Sequence, residues 1–361
     1  MIRRGLIRRG LRFLALLSAL LAPSAGAEVL RIATYNPELS RAGPGLMLRD
    51  ITKGEDPQVA AVIEVLLALD ADVLLLTGFD YDFGEQALSA LNRLLAESGT
   101  AYPYQLALRP NTGVATGLDL DNNGQRGEAR DAQGFGRFAG QAGMAVLSRE
   151  PILREAARDF SGFLWKDLPG ADLPPDLSPE AREIQRLSTS GHWEVPLDLG
   201  GGKVLRLLTW YATPPVFDGP EDRNGRRNQD EAAFWLRLLA GDLPFPPPKP
   251  PFVLLGQSNL DPQDGEGRRG AMQALLTHPA LQDPEPRGDS GRLEPGQNGD
   301  PALDTALYDR IGGLRVEVIL PSADLKIVGT GMLAPPGADQ FAATLTTASR
   351  HHPIWVEITL P

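Results

Sequence analysis

Hydrophobic runs with two different periods alternate along the first hundred residues. Val29–Tyr35 is a β-branched, apolar run that predicts a strand. Residues 58–69 carry apolar side chains at helical spacing, and residues 72–77 form a nearly continuous apolar run, typical of a strand buried on both faces. Residues 86–96 again show helical spacing. This strand–helix–strand–helix order indicates an α/β layered fold.

In the rest of the chain the predicted strands outnumber the predicted helices. Strands are predicted over 104–108, 143–148, 191–197, 204–211, 252–256, 315–320, 325–328 and 354–360, and helices over 228–240 and 269–276. A Gly- and Asp-rich insertion precedes residue 143, and residues 282–303 are rich in Pro, Gly and Asp, which predicts a surface loop. Because no linker separates two complete cores, we predict a single domain over residues 28–361 with two sheets and flanking helices.

The first 27 residues have the pattern of an export signal. Five arginines accompany an apolar run at 14–21 that is too short to span a bilayer, and Ala25-Gly26-Ala27 is a small-residue cleavage site. We therefore predict a signal peptide at residues 1–27 and an exported protein, periplasmic or extracellular. No transmembrane anchor is expected after cleavage.

Composition narrows the chemistry that the chain can perform. The 361 residues include no cysteine and only four histidines, so disulfides, thiolate nucleophiles and cysteine zinc sites are excluded. Any metal site must consist mostly of carboxylate and amide oxygens, which suit Mg²⁺ or Ca²⁺. The net charge of −11 becomes more negative when the arginines of the signal are removed, so tight nucleic-acid binding is not expected.

Short polar motifs stand at the ends of several predicted strands. They are Ile32-Ala33-Thr34-Tyr35-Asn36, DVLLLTGFD at 72–80, GMAVLSR at 143–149, LLGQSNLDP at 254–262, the strand at 315–322 and Ser349-Arg350-His351. In this order they resemble the motifs of the endonuclease/exonuclease/phosphatase superfamily, and residues 213–228 are typical of its exported bacterial members. The resemblance implies a DNase I-like four-layer α/β sandwich, with two mixed β-sheets face to face and flanking helices. It also implies phosphoester hydrolysis that depends on a divalent metal, Mg²⁺ or Mn²⁺.

Several positions depart from the pattern of that family. Where the family has a metal-binding Glu at the end of the second strand, this chain has Gly78. Tyr211 replaces a His that contacts phosphate, and Gln257 replaces the Asp that orients or deprotonates the attacking water. Arg350 replaces the Asp that, in the resemblance, orients the following histidine. The residues that the resemblance places at the catalytic centre are Asn36, Tyr211, Gln257, Asn259 and His351.

Because catalytic residues act as a unit, a partial set predicts impaired or lost hydrolysis, that is, a pseudoenzyme. We predict a cleft that binds a phosphorylated or anionic small molecule, with Arg350 and Arg223 as ligand-binding residues. One alternative is an active Mg²⁺- or Mn²⁺-dependent phosphodiesterase or phosphatase. Its relocated ligand set would be Glu38, Asp80, Asp261 and Asp264. Another is an exported structural or partner-binding domain with a vestigial cleft. No oligomeric state is predicted.

A second candidate metal site lies in the insertion. Residues 119–124 (DLDNNG) carry oxygen ligands at alternate positions and a glycine for the turn, like the opening of an EF-hand calcium loop. Arg130 at the twelfth position excludes a complete EF-hand, and Glu128 or Asp131 is available to close the shell. The predicted Ca²⁺ ligands are Asp119, Asp121, Asn123 and Asp131; the alternative is a polar Asx-rich turn.

Overall fold

The computed structural model describes residues 29–289, 295–334 and 340–360. The predicted signal peptide at residues 1–27 lies outside the described residues. Within the described ranges, no helix combines the length and the hydropathy needed to cross a membrane.

Thirteen strands and seven α-helices are interspersed along the described chain. The described strands are β1 (Val29–Tyr35), β2 (Val73–Phe79), β3 (Tyr104–Leu106), β4 (Gly143–Ser148), β5 (Arg158–Asp159), β6 (Gly191–Asp198), β7 (Val204–Tyr211), β8 (Phe252–Gln257), β9 (Ala306–Tyr308), β10 (Gly312–Leu314), β11 (Glu317–Pro321), β12 (Lys326–Met332) and β13 (Ile354–Thr359). The described α-helices are α1 (Leu46–Lys53), α2 (Pro57–Leu69), α3 (Gln86–Glu97), α4 (Pro179–Ile184), α5 (Arg223–Ala240), α6 (Gly270–Leu276) and α7 (Gln340–Ala348).

These strands form two mixed sheets and a small hairpin. One sheet has the order β12-β13-β1-β2-β4-β3 and the other the order β11-β8-β7-β6-β5, while β9 and β10 pair with each other. Each large sheet contains one parallel pair, β1 with β2 and β7 with β8, among antiparallel neighbours. The two mixed sheets with flanking helices confirm the predicted fold class.

Three apolar layers hold the sheets and helices together. The facing sides of the two sheets share one core, which includes Ile32, Leu75, Trp193, Leu207 and Val253. A second core packs α1, α2, α3 and α7 against the outer side of the first sheet, and a third packs α5 and α6 against the outer side of the second. Burial of apolar area on both faces of each sheet explains why the central strands read as nearly continuous hydrophobic runs.

The strand order brings several polar motifs to one edge. The carboxyl ends of the parallel strands β1 and β2 meet at this edge, and so do those of β7 and β8. Strand β11 starts at the same place, because Glu317 pairs with Gln257 at the end of β8. Asn36, Tyr211 and Gln257 are therefore neighbours at the edge where the two sheets face each other.

Candidate active site

Gln257 is the centre of a hydrogen-bonded cluster at this edge. Its side chain is buried, and its Oε1 accepts hydrogen bonds from Asn36 Nδ2 at 2.7 Å and from Thr77 Oγ1 at 3.0 Å. Its Nε2 donates to Asn259 Oδ1 at 2.6 Å, and Asn259 Nδ2 donates to the carbonyl of Ala212 at 2.7 Å. The structure thus brings together three of the residues that the sequence places at the catalytic centre.

The contacts of Gln257 match an amide and not a carboxylate. Its oxygen faces two donors, whereas its nitrogen faces the acceptor oxygen of Asn259. A carboxylate has no hydrogen to donate to that acceptor. Since a neutral amide cannot take a proton from water, the position occupied by Gln257 supplies no general base.

Gly78 leaves no room for a side chain at the end of β2. It lies in an irregularity of the pairing between β2 and β4, with a positive φ of 61°. A Cβ atom at this position would lie 2.2 Å from Oδ1 of Asn36. That oxygen is itself fixed, because it accepts a hydrogen bond from the backbone N–H of Glu38 at 2.8 Å. A glutamate at this position would therefore clash with Asn36 as it stands.

His351 is oriented by a buried carboxylate. Its Nδ1 lies 2.6 Å from Oε1 of Glu317, and both side chains are almost fully inaccessible to solvent. The resemblance implies an orienting Asp at the position of Arg350; in the structure the carboxylate that contacts the histidine is that of Glu317. The strand at 315–322 resembles a family strand with the pattern R-x-D-Y, and Glu317 stands at the place of its Asp, two residues after Arg315. This pattern was the signal that could have identified Glu317. A hydrogen bond from the backbone N–H of His351 to Ser349 Oγ, at 3.1 Å, links the histidine to the Asn36 side of the cluster.

Arg350 and Glu38 form an ion pair beside the cluster. The Nε of Arg350 lies 2.8 Å from Oε1 of Glu38, and its guanidinium carbon lies 5.6 Å from the ring centroid of Tyr308. The other oxygen of Glu38 accepts hydrogen bonds from Ser349 Oγ at 3.1 Å and from the backbone N–H of Arg350 at 3.0 Å. Both oxygens of the Glu38 carboxylate are therefore engaged by donors from residues 349 and 350.

Three tyrosines near the site have raised pKa values. Burial, together with the charges of Glu317 and Glu38, raises the pKa of Tyr211 to about 12. Burial also raises the pKa of Tyr35 and of Tyr308. These phenols are protonated at neutral pH, so Tyr211, at the end of β7, can donate a hydrogen bond to an anionic oxygen.

Within the described residues, the carboxylates of the relocated metal set do not form a group of three close enough to hold one cation. Asp261 and Asp264 share one loop, in which the backbone N–H of Asp264 donates to Asp261 at 2.7 Å, whereas Asp80 lies in another. The backbone donors are those of Arg41 and Ala142 for Asp80, those of Gln263, Asp264 and Arg315 for Asp261, and those of Asn298 and Gly299 for Asp264. Burial raises the pKa of Asp80, which further weakens it as a ligand for a cation.

The acidic loop of the insertion is a separate feature. Ligand oxygens of Asp119, Asp121 and Asp131 lie within 4.8 Å of one another, and within the described residues no other group of three His or acidic side chains meets this criterion. Asn123 adjoins this group: its Nδ2 donates to Asp121 Oδ2 at 3.3 Å, and its role as a ligand stays a prediction. Its Nδ2 donates to Glu128 Oε2 at 2.5 Å, and its Oδ1 accepts from the backbone N–H of Gln125 at 2.8 Å.

Residues 213–228 connect this insertion to the site. Arg223 donates to the carbonyl of Leu120 at 3.0 Å and to Gln185 Oε1 at 2.8 Å, so it lies between the acidic loop and the end of α4. Asn228 Nδ2 donates to the carbonyl of Ser258 at 2.7 Å, immediately before Asn259. These hydrogen bonds join residues 213–228 to neighbouring loops. The ligand-binding role of Arg223 stays a prediction.

Solved structures with the same architecture come from several bacteria. An endonuclease/exonuclease/phosphatase from Beutenbergia cavernae DSM 12333 aligns with a TM-score of 0.55 and 16% identity, over 92% of this chain and 72% of that one. A family protein from Leptotrichia buccalis C-1013-b aligns with a TM-score of 0.51 and 15% identity, over 92% of this chain and 100% of that one. At these identities the similarity establishes the fold alone. A search of curated proteins finds no significant match.

The family itself follows from a model of its sequences. The model described as "Endonuclease/Exonuclease/phosphatase family" matches residues 52–351, which include most of the chain and all the site residues after the first strand. The chain therefore belongs to the endonuclease/exonuclease/phosphatase family.

Proposed function

We propose that this protein is an exported member of its phosphoesterase superfamily whose cleft binds a phosphorylated or anionic small molecule and in which hydrolysis is impaired or lost. The proposal of export depends on the sequence pattern of residues 1–27. The proposal of impaired hydrolysis depends on one observation above all. Gln257, where a carboxylate would activate water, has both ends of its amide committed to Asn36, Thr77 and Asn259.

The groups that remain suit recognition of an anion better than cleavage. The Tyr211 hydroxyl is protonated, the Arg350 guanidinium is half exposed, and the His351 ring is held by Glu317. These groups supply hydrogen-bond donors and positive charge to a phosphate, which is what binding requires. Hydrolysis also requires a nucleophilic water with its proton acceptor and a charge that stabilises the leaving oxygen.

Hydrolysis of 4-nitrophenyl phosphate and of bis(4-nitrophenyl) phosphate, each with Mg²⁺ or Mn²⁺ and with EDTA, tests this proposal. We expect wild-type protein to release 4-nitrophenol no faster than the Asn259→Ala variant, while it still binds the monoester in equilibrium dialysis. Metal-dependent turnover that the Asn259→Ala change abolishes would instead establish an active phosphodiesterase or phosphatase. Absence of both turnover and binding would favour the structural or partner-binding alternative.

We also propose that the acidic loop binds Ca²⁺ and stabilises the insertion. The grouping of Asp119, Asp121 and Asp131 supports this, with one Asp121 oxygen that has no hydrogen-bond partner in the described part of the chain. An exported protein would meet free Ca²⁺, whose preferred ligands are such oxygens.

Removal of Ca²⁺ should therefore lower the melting temperature. A ligand at one hundred times its dissociation constant stabilises the folded state by about 2.7 kcal/mol, so EGTA should lower the melting temperature by several degrees. Differential scanning calorimetry with CaCl₂ and with EGTA measures this, and the Asp121→Asn variant serves as the control that should not respond. An unchanged melting temperature of the wild-type protein would refute the calcium site.

A further inference from the structure

We infer that Arg350 is the resident cation of the cleft: its guanidinium takes the place of a divalent metal, so the site captures a phosphate monoester without Mg²⁺ or Mn²⁺. The inference depends on the proposed function and specifies how the charge of the ligand is met. It follows from the contacts of Gly78, Glu38 and Arg350.

The side chains at the strand edge do not fit the metal that the family uses. The position of the metal-binding Glu is Gly78, where even a Cβ would lie 2.2 Å from Asn36 Oδ1. Glu38 is the carboxylate closest in sequence to Asn36, and both of its oxygens face donors of residues 349 and 350. A cation that approached Glu38 would have to displace a guanidinium and would meet its positive charge.

Arg350 is placed so that it can still receive a ligand. Its Nε is paired with Glu38 at 2.8 Å, and its side chain is 52% exposed. The terminal nitrogens of the guanidinium have no hydrogen-bond partner among the described residues. A planar guanidinium presents such nitrogens as a fork that matches two oxygens of one phosphate. The ring of Tyr308, 5.6 Å from the guanidinium carbon, limits the directions that the fork can take.

Glu38 has two opposite effects on such a ligand. It orients Arg350, but its negative charge repels an incoming phosphate, and it competes for the same guanidinium. The structure therefore predicts weak binding in the wild-type protein and tighter binding when Glu38 is neutralised. A site that depended on a metal would show the reverse, because Glu38 would then be a metal ligand.

Isothermal titration with inorganic phosphate and with phenyl phosphate, each in EDTA and in Mg²⁺, tests the inference on the full mature chain. We expect the wild-type dissociation constant to be the same in EDTA and in Mg²⁺. Arg350→Met should weaken binding roughly tenfold or more, the expected effect of losing a charge-assisted contact. Glu38→Gln should tighten it. The matched control is Arg310→Met, an exposed arginine of the neighbouring hairpin turn, which should bind as wild type does.

The possible failures are distinguishable. Binding that requires Mg²⁺, or that Arg350→Met leaves unchanged, overturns the inference while the proposed anion-binding function stands. Absence of binding to both probes under every condition overturns both. Arg350→Lys keeps the charge and removes the fork, so it should retain part of the affinity, and thermal melts of each variant exclude misfolding as the cause of a loss.

Discussion

Replacement of Gly78 with alanine is expected to lower the free energy of unfolding by about 3 kcal/mol or more. Two costs add at this position: a positive φ of 61° that L-residues rarely adopt, and a Cβ 2.2 Å from Asn36 Oδ1. Asn36 cannot move without losing its hydrogen bonds to Gln257 and to the backbone of Glu38. Urea unfolding followed by the fluorescence of the five tryptophans measures the change.

Gly54→Ala is the matched control for that experiment. Gly54 has a similar positive φ of 66°, but no described heavy atom beyond its own residue and its two chain neighbours lies within 4 Å of the place where its Cβ would be. Its substitution should lower the free energy of unfolding by only about 1 kcal/mol, because only the backbone conformation disfavours alanine there. Equal losses for the two variants would mean that Asn36 yields freely and that the position at the end of β2 is open to a side chain.

The second large effect is expected at Arg227. Replacement of this arginine with methionine should lower the free energy of unfolding by about 4 kcal/mol. This arginine is 5% exposed and its guanidinium donates to the carbonyl oxygens of four residues of the connecting loops. These are Leu187, Gln133, Arg186 and Ser188, at distances of 2.8, 2.6, 2.8 and 3.1 Å. Methionine fills similar space but removes the donor of Leu187 and one of the donors of the other three oxygens. It also removes the positive charge that compensates the buried Glu231, and a buried charge without its counter-charge is costly.

Arg237→Met provides the comparison on the same helix. Its side chain is 43% exposed and forms one ion pair with Asp242 at 3.3 Å. Such exposed pairs contribute about 1 kcal/mol or less. In chemical denaturation, the free energies of unfolding of the two variants should therefore differ by about 3 kcal/mol. Similar small losses would show that water replaces the guanidinium of Arg227, and that the loops around the insertion do not depend on it.

The strands were predictable because a strand that is buried on both faces has a nearly continuous run of apolar residues. The bounds of β1, β4 and β7 agree with the apolar runs that predicted them. Helix α5 was predicted to start at residue 228 but begins at Arg223, because its first turn is polar and is held by hydrogen bonds instead of apolar packing. The hairpin of β9 and β10 was not predicted, since three-residue strands with two glycines carry no periodic signal.

The pairing of side chains at the site was less accessible to sequence reasoning. The departures at Gly78, Gln257 and Arg350 were visible as substitutions, but their partners were not. Arg350 contacts Glu38, which lies 312 residues earlier in the chain, and His351 contacts Glu317 at the start of β11. Only the fold brings these groups together, so the sequence indicated which positions depart from the family pattern, whereas the structure shows the contacts of the residues that occupy them.

Anomalous diffraction from crystals grown with MnCl₂ would show whether a divalent metal binds at the strand edge. We expect no manganese peak beside Asn36 and Glu38, with the Arg350 guanidinium against the Glu38 carboxylate. A manganese ion bound by Glu38, with Arg350 turned away, would contradict this expectation.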